Sequence, residues 1–98
     1  MRFEWDEDKA RLNAQKHGVT FEEAETVFFE EEAWIYDDPD HSEDEQRFLL
    51  VGPSASLRLL VVVHCFREDG EIIRIISVRK ATRRERRAFM MEGSPHAR

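Results

Sequence analysis

The spacing of apolar residues changes several times along the chain, and each change marks an element. Residues 2–5 alternate polar and apolar side chains (Phe3 and Trp5 on one side), the period of a short strand. Asp6 follows as an N-cap, with Glu7 and Asp8 in the positive first turn of a predicted helix. That helix is expected to end at His17, because Gly18 can take the left-handed conformation of a C′ residue and Lys16 and His17 oppose the negative end of the dipole. Thr20-Phe21-Glu22-Glu23 has the pattern of a capping box, and Ala24, Val27 and Phe28 continue from Phe21 at helical spacing.

Beyond Glu30-Glu31-Glu32 the pattern turns strand-like. Residues 33–36 bring Trp, Ile and Tyr together, and DDPDHSEDEQ then reads as a mobile polar loop with a Pro turn. Residues 47–51 form a predicted strand, Gly52-Pro53-Ser54 a turn, and residues 58–66 a β-branched strand that leads through Glu68-Asp69-Gly70-Glu71 into residues 72–79. Thr82-Arg83-Arg84-Glu85 repeats the capping-box pattern and opens a last helix through Ala88, Phe89 and Met90, before a frayed tail at 93–98. The expected order is β-α-α-β-β-β-α in one domain over residues 1–92. Strands gathered after two helices indicate an α+β fold, with a small, mostly antiparallel sheet and helices against one face.

The hairpin fixes finer geometry. A two-residue Asp69-Gly70 turn pairs Glu68 with Glu71, which sets Phe66 opposite Ile73, Cys65 opposite Arg74 and His64 opposite Ile75. One face then holds Leu60, Val62, His64, Phe66, Ile73, Ile75, Ser77 and Arg79; the other holds Val61, Val63, Cys65, Arg67, Ile72, Arg74, Ile76 and Val78. Both faces are largely apolar, so this pair is expected at the centre of the sheet. A slip of one residue would exchange the groupings.

Composition sharpens this picture. The chain has 98 residues, 41% of them hydrophobic and 37% charged, which suits a folded globular protein with one modest core. Cys65 is the only cysteine, so no internal disulfide forms, and its apolar surroundings suggest a small buried hydrophobe. No apolar signal-like segment occupies the first residues and the longest apolar run, 59–63, is too short to span a bilayer; a cytoplasmic protein is expected. The net charge of −6 is unevenly spread: residues 1–46 hold 4 Lys/Arg against 16 Asp/Glu, residues 47–73 hold 3 against 3, and residues 74–98 hold 8 against 2. Exposed charges are screened over roughly 8–10 Å, so the basic end can bind phosphate although the chain as a whole is acidic.

WDEDKARLNAQKHGVTFEEAETVF near the start, RFLLVG in the middle and IRIISVRKATRRER near the end together resemble the BrnT family of type II toxins, over residues 3–89. The family-like positions are Trp5, Asp6, Lys9, Asn13, Lys16, His17 and Gly18, then Arg47, Arg67, Ile76, Ser77, Arg79, Ala81 and Glu85. The resemblance implies a RelE-like fold, a ribonuclease that blocks translation, and neutralisation by a BrnA-type antitoxin that also represses the operon. RelE-like nucleases vary in their catalytic sets, so the resemblance supplies candidates only.

Metal-independent RNA cleavage requires a group to deprotonate the ribose 2′-OH, positive charge to stabilise the phosphorane, and a proton for the leaving oxygen. Arg79 and Arg67 are the preferred phosphate clamps because each closes an apolar strand, with Arg47 as a third; alternatively, each is a surface arginine paired with a carboxylate. His17 and Lys9 are candidates for proton transfer, although His17 also suits a helix end and Lys9 an exposed ion pair. His64, within an apolar strand, is either a further catalytic candidate or a core histidine. Lys80, Arg83, Arg84, Arg86 and Arg87 make a basic stripe at the start of the last helix, joined by Arg74 in the hairpin, as a footprint for RNA backbone or for an acidic antitoxin segment. The Asp37-Asp38-Pro39-Asp40-His41 cluster lacks metal-ligand spacing, and no metal or cofactor is expected. The alternative from another class is a non-catalytic module of the same fold that binds nucleic acid or protein.

Overall fold

The computed structural model describes residues 1–40 and 45–92. Five strands and three helices follow one another as β1 (Arg2–Glu4), α1 (Glu7–His17), α2 (Phe21–Val27), β2 (Trp34–Asp37), β3 (Phe48–Pro53), β4 (Leu59–Arg67), β5 (Ile72–Lys80) and α3 (Arg83–Glu92). This is one strand more than the expected order: the strand-like stretch around Trp34 forms a complete edge strand. His41 to Asp44 of the polar loop and the expected tail at 93–98 lie outside the described residues.

The sheet order is β1-β5-β4-β3-β2, with β1 parallel to β5 and all other neighbours antiparallel. The hairpin strands β4 and β5 occupy the interior, as their two apolar faces require. Helices α1 and α2 cover one face, where Val19, Phe21, Ala24 and Val27 pack on Leu50, Leu60, Val62, Ile73, Ile75 and Val78. Helices were expected on that side alone. Instead Phe89 of α3 packs with Val51, Leu59, Val61 and Ala81 on the opposite face, because the second apolar stripe of β3 and β4 also needs cover.

Local chemistry explains the element ends. Asp6 accepts hydrogen bonds from the Asp8 and Lys9 amides, and Gly18 closes α1 at φ 70°. Thr82 and Glu85 form a reciprocal capping box, each side chain accepting from the other's amide. The Thr20 box is only half made: the Thr20 hydroxyl accepts from the Glu23 amide, while the Glu23 carboxylate turns away to Arg58, Ser54 and Ser56, fastening α2 to the β3–β4 turn. Gly52 and Pro53 belong to β3 rather than to that turn. A Cβ on Gly52 would lie 2.7 Å from the Ala33 Cβ, so the close pass of the chain entering β2 demands glycine there.

The hairpin keeps the expected pairs Phe66–Ile73, Cys65–Arg74 and His64–Ile75, but its connection is a four-residue loop with Glu68 and Asp69 at φ 52° and 58°. After His64 the register shifts by one: Val63 pairs with Ser77, Val62 with Val78 and Val61 with Arg79. Ile76 is the extra residue of a β-bulge, and the outer half of β5 is turned over relative to the uninterrupted register. Val78 therefore enters the core beneath α1 and α2, while Arg79 goes to the other face.

One buried polar group clamps this outer half. Beyond Glu4 no strand continues β1, so Val78 would leave its N–H and C=O unpaired on that side of β5. Asn13 of α1, 8% exposed, supplies the missing partner: its side-chain NH2 donates to the Val78 C=O (2.9 Å) and the Val19 C=O (3.1 Å), and its Oδ1 accepts from the Val78 N–H (3.0 Å).

Candidate ribonuclease site

The bulge decides which arginines share a face. Arg79 was expected on the face of His64, opposite Arg67 and Arg74; it stands instead with Arg67, Arg74 and Cys65, on the side away from α1 and α2. The part of this face that α3 leaves open carries two linked sets of charges.

The first surrounds Arg79. Its guanidinium meets Glu85 of α3 in a two-pronged contact, Nη1 to Oε1 at 2.8 Å and Nη2 to Oε2 at 2.9 Å. Arg79 also donates to the Lys80 C=O at 3.3 Å. Glu85 is fixed twice over, because the same Oε1 accepts from the Thr82 amide at 2.8 Å. Hydrogen bonding from Arg79 holds the Glu85 carboxyl down at about 2, against its own partial burial, and Glu85 in turn raises the pKa of Arg79. Tyr36 of β2 senses both: burial and the Glu85 charge push its phenol up, and Arg79 opposes them. Arg79 opens into a cleft of about 300 Å³ lined by Asp38, Pro39, Asp40, Leu49, Val61 and Val63.

The second set spreads from β1 to β4. Glu4 accepts from Arg74 at 2.8 Å and lies 3.3 Å from Arg67; Glu45 lies 3.4 Å from both Arg67 and Arg47. The Cys65 thiol donates to Glu45 at 3.3 Å. Cys65 is buried as expected, yet it also takes part in this polar contact; burial and the Glu45 carboxylate push its thiol up, so it is no nucleophile at neutral pH. Glu45 is held low, first by the thiol and then by Arg47. Both readings of the arginines thus meet in one place: each of Arg47, Arg67, Arg74 and Arg79 has a carboxylate partner, and all four are still partly open to solvent.

His64 is not on this surface. It is wholly buried among the rings of Phe28, Phe48 and Phe66, with centroids 4.9, 5.9 and 5.3 Å away, and burial lowers its pKa to about 4. It is a neutral core residue out of reach of substrate, which corrects its place among the catalytic candidates; its Nε2 has no hydrogen-bond partner among the described residues. Lys9 and His17 lie on α1. No hydrogen bond or ion pair among the described residues joins them to the arginines, but with Asn13 they occupy positions i, i+4 and i+8, one stripe of the helix. Asn13 is clasped to Val78, so that stripe meets the edge of β5 from the helix-covered side, whereas Arg79 points to the other face.

Lys80, Arg83, Arg84, Arg86 and Arg87 are exposed and, among the described residues, have no carboxylate partner; Arg83, Arg84 and Arg87 line a shallow depression of about 310 Å³. Arg74 differs from them, because it is engaged by Glu4. No group of three or more metal-ligating side chains occurs among the described residues. Asp38 is buried and its Oδ1 accepts from the Asp40 amide, an Asx turn.

Sequence reasoning missed Tyr36, Glu4 and Glu45 as neighbours of the arginines, and placed Glu85 in the helix cap and among the family-like positions without pairing it with Arg79. The six-residue separation of Arg79 and Glu85 across a strand-to-helix turn was the available signal. Glu45 stands two residues from Arg47, but nothing local pointed to its contact with Arg67 or to those of Glu4 with Arg67 and Arg74, which sheet order brings together from distant parts of the chain.

A family model described as the ribonuclease toxin BrnT of type II toxin–antitoxin systems matches residues 5–85. The chain belongs to this family. The crystal structure of the ribonuclease toxin BrnT of Brucella abortus, at 26% identity, aligns with 85% of this chain and 99% of its own with a TM-score of 0.65. No curated protein sequence matches. This BrnT-family chain thus has the α+β fold of its relative, and its family is one of ribonuclease toxins paired with antitoxins. No described helix is long and apolar enough to cross a membrane.

Proposed function

We propose that this toxin is a metal-independent endoribonuclease acting in the cytoplasm, that it cleaves RNA on the arginine face, inhibits translation, and is neutralised by a BrnA-type antitoxin. The observation that carries the reading is the β-bulge, which gathers Arg79, Arg67 and Arg74 on one partly open face bordered by the unpaired cations of α3. A backbone phosphate entering there replaces carboxylate oxygens with phosphate oxygens on guanidiniums that are already oriented, so little side-chain ordering remains to be done.

In this reaction the ribose 2′-oxygen loses its proton and attacks the adjacent phosphorus, the bond from phosphorus to the 5′-oxygen breaks, and that oxygen takes a proton. The products are a 2′,3′-cyclic phosphate and a 5′-hydroxyl. Arg79 and Arg67 stabilise the phosphorane, with Arg47 beside them. Lys9 and His17, on the α1 stripe beside β5, handle the protons, while Arg74, Lys80, Arg83, Arg84, Arg86 and Arg87 hold the flanking backbone.

The test is incubation of the purified chain with RNA in the presence of chelator, followed by mapping of the new ends. Cyclic phosphate termini are expected, with at least a hundredfold loss for Arg79→Ala and a shifted pH–rate profile for Lys9→Ala or His17→Ala. Wild-type rates from Arg79→Ala would refute the central assignment. Folded chain that binds RNA without cutting it, with or without ribosomes, would establish the non-catalytic alternative.

A further inference from the structure

Most of the carboxylates in the acidic half of the chain take no part in the chemistry above. Between Lys16 and Arg47 lie 12 Asp or Glu and no Lys or Arg. Glu23 and Glu45 are engaged by arginines, but Glu30, Glu31, Glu32 and Asp37 are exposed and, among the described residues, have no cationic partner. These four bracket β2, the outermost strand of the sheet.

The outer edge of β2 has no strand partner among the described residues. The Asp38 N–H donates to the Arg47 C=O, and antiparallel alternation therefore points the backbone groups of Trp34 and Tyr36 toward β3 and those of Ile35 and Asp37 outward. An open edge is ordinarily blunted by brevity, charge or proline. β1 at the other end of the sheet follows that rule, with three residues, two of them charged. β2 is also short and ends in the charged Asp37, but it adds exposed apolar side chains, Trp34 at 45% and Ile35 at 48% exposure, on opposite faces. Beside Trp34, a cleft of about 370 Å³ is lined by Glu32, Phe89 and Met90, and Met90 and Met91 are among the most exposed apolar residues of the chain. Thus, among the described residues, an unpaired backbone edge, an apolar socket and uncompensated negative charge coincide.

We propose that β2 is the docking strand for the antitoxin, which adds an extended segment of its own as a sixth strand. The segment that fits has an apolar side chain to enter the Trp34–Met90 cleft and lysines or arginines to meet Glu30, Glu31, Glu32 and Asp37. Backbone hydrogen bonds at Ile35 and Asp37 set its register, the cleft supplies the apolar anchor, and charge selects a basic segment over an acidic one. The cleft lies on the α3 side of the sheet, as the arginines do, but at its β2 edge, so the partner gains a hold on the toxin beside the arginine face. The inference rests on the reading of the chain as an antitoxin-bound toxin.

Amide hydrogen exchange of the full-length chain, free and in complex with the co-encoded antitoxin, tests it. Protection of the Ile35 and Asp37 amides by at least a hundredfold in the complex is expected. Ile35→Pro, which removes an outward N–H at an edge position, is expected to weaken antitoxin binding at least tenfold with no change in RNA cleavage by the free toxin. The surface variant carrying Glu30→Lys, Glu31→Lys and Glu32→Lys weakens it by a similar factor at low salt, a difference that shrinks as salt rises. An antitoxin that binds while both amides exchange as fast as in the free chain overturns the docking site and leaves the toxin reading standing. An antitoxin that does not bind at all overturns both. Protection in a self-associated free chain, unchanged on adding antitoxin, assigns the edge to a second copy and also overturns the proposal.

Discussion

Replacing Asn13 by Ala is expected to damage stability and activity together. The change orphans three buried groups, the N–H and C=O of Val78 and the C=O of Val19, in surroundings where both valines are almost completely buried. At about 1–1.5 kcal/mol per lost hydrogen bond, the total is about 3–4.5 kcal/mol. A domain of this size is stable by only about 5–15 kcal/mol, and its melting temperature falls by roughly 4 °C or more per kcal/mol, so a drop of at least about 12 °C follows. Asn13→Asp should be no milder at neutral pH, since it sets a carboxylate against two carbonyls; its deficit should narrow in acid, when the protonated group can donate once. Urea unfolding of Asn13→Ala, Asn13→Asp and the exposed control Leu12→Ala measures this directly. RNA cleavage assayed well below the variant's melting temperature should still be reduced, because Val78 precedes Arg79 and its anchoring aims that guanidinium. A loss below about 1 kcal/mol for Asn13→Ala would refute the edge-clamp account.

His64 should make the fold sensitive to mild acid. Its folded pKa of about 4 lies below the ordinary 6.5, so the unfolded chain binds the proton first and stability falls as pH drops from about 6.5 toward 4, by up to about 3 kcal/mol; His64→Leu should flatten that limb of a urea-midpoint profile against pH. Glu23 acts at lower pH: Arg58, chiefly, depresses its carboxyl to about 2, so its contribution is complete above the ordinary 4.5 and disappears as pH falls through 2. Glu23→Gln should cost about 1.5–3 kcal/mol at pH 7 by denaturant titration, with a shallower decline in acid than the wild type. Gly52→Val should lower the melting temperature sharply, because its side chain would overlap Ala33 and Val27; a variant melting within a few degrees of wild type would show that the β2 entry segment shifts freely.

Much was legible in the chain because it depends on neighbours in sequence. The caps at Asp6, Gly18 and Thr82, the α1 boundaries, the start of α2, and the first pairs of the β4–β5 hairpin follow from local hydrogen bonding and from residues able to adopt positive φ. The basic stripe of α3 and the core position of Phe21, Ala24 and Val27 were equally readable from period and charge.

Tertiary structure decided the rest. A bulge changes strand pairing by one residue without leaving a distinctive residue type, yet it moved Arg79 to the other face and sent Val78 into the core. Asn13 looked like an ordinary helix residue until the short β1 left the Val78 backbone in need of a partner. His64 was consistent with catalysis until Phe28, Phe48 and Phe66 closed around it, and the Glu23 capping box was incomplete because Arg58, 35 residues away, competed for the carboxylate. Short-range spacing therefore determined the elements and the supply of cations. Which cations met, and which carboxylates held them, depended on sheet order and register, which contacts far apart in sequence set.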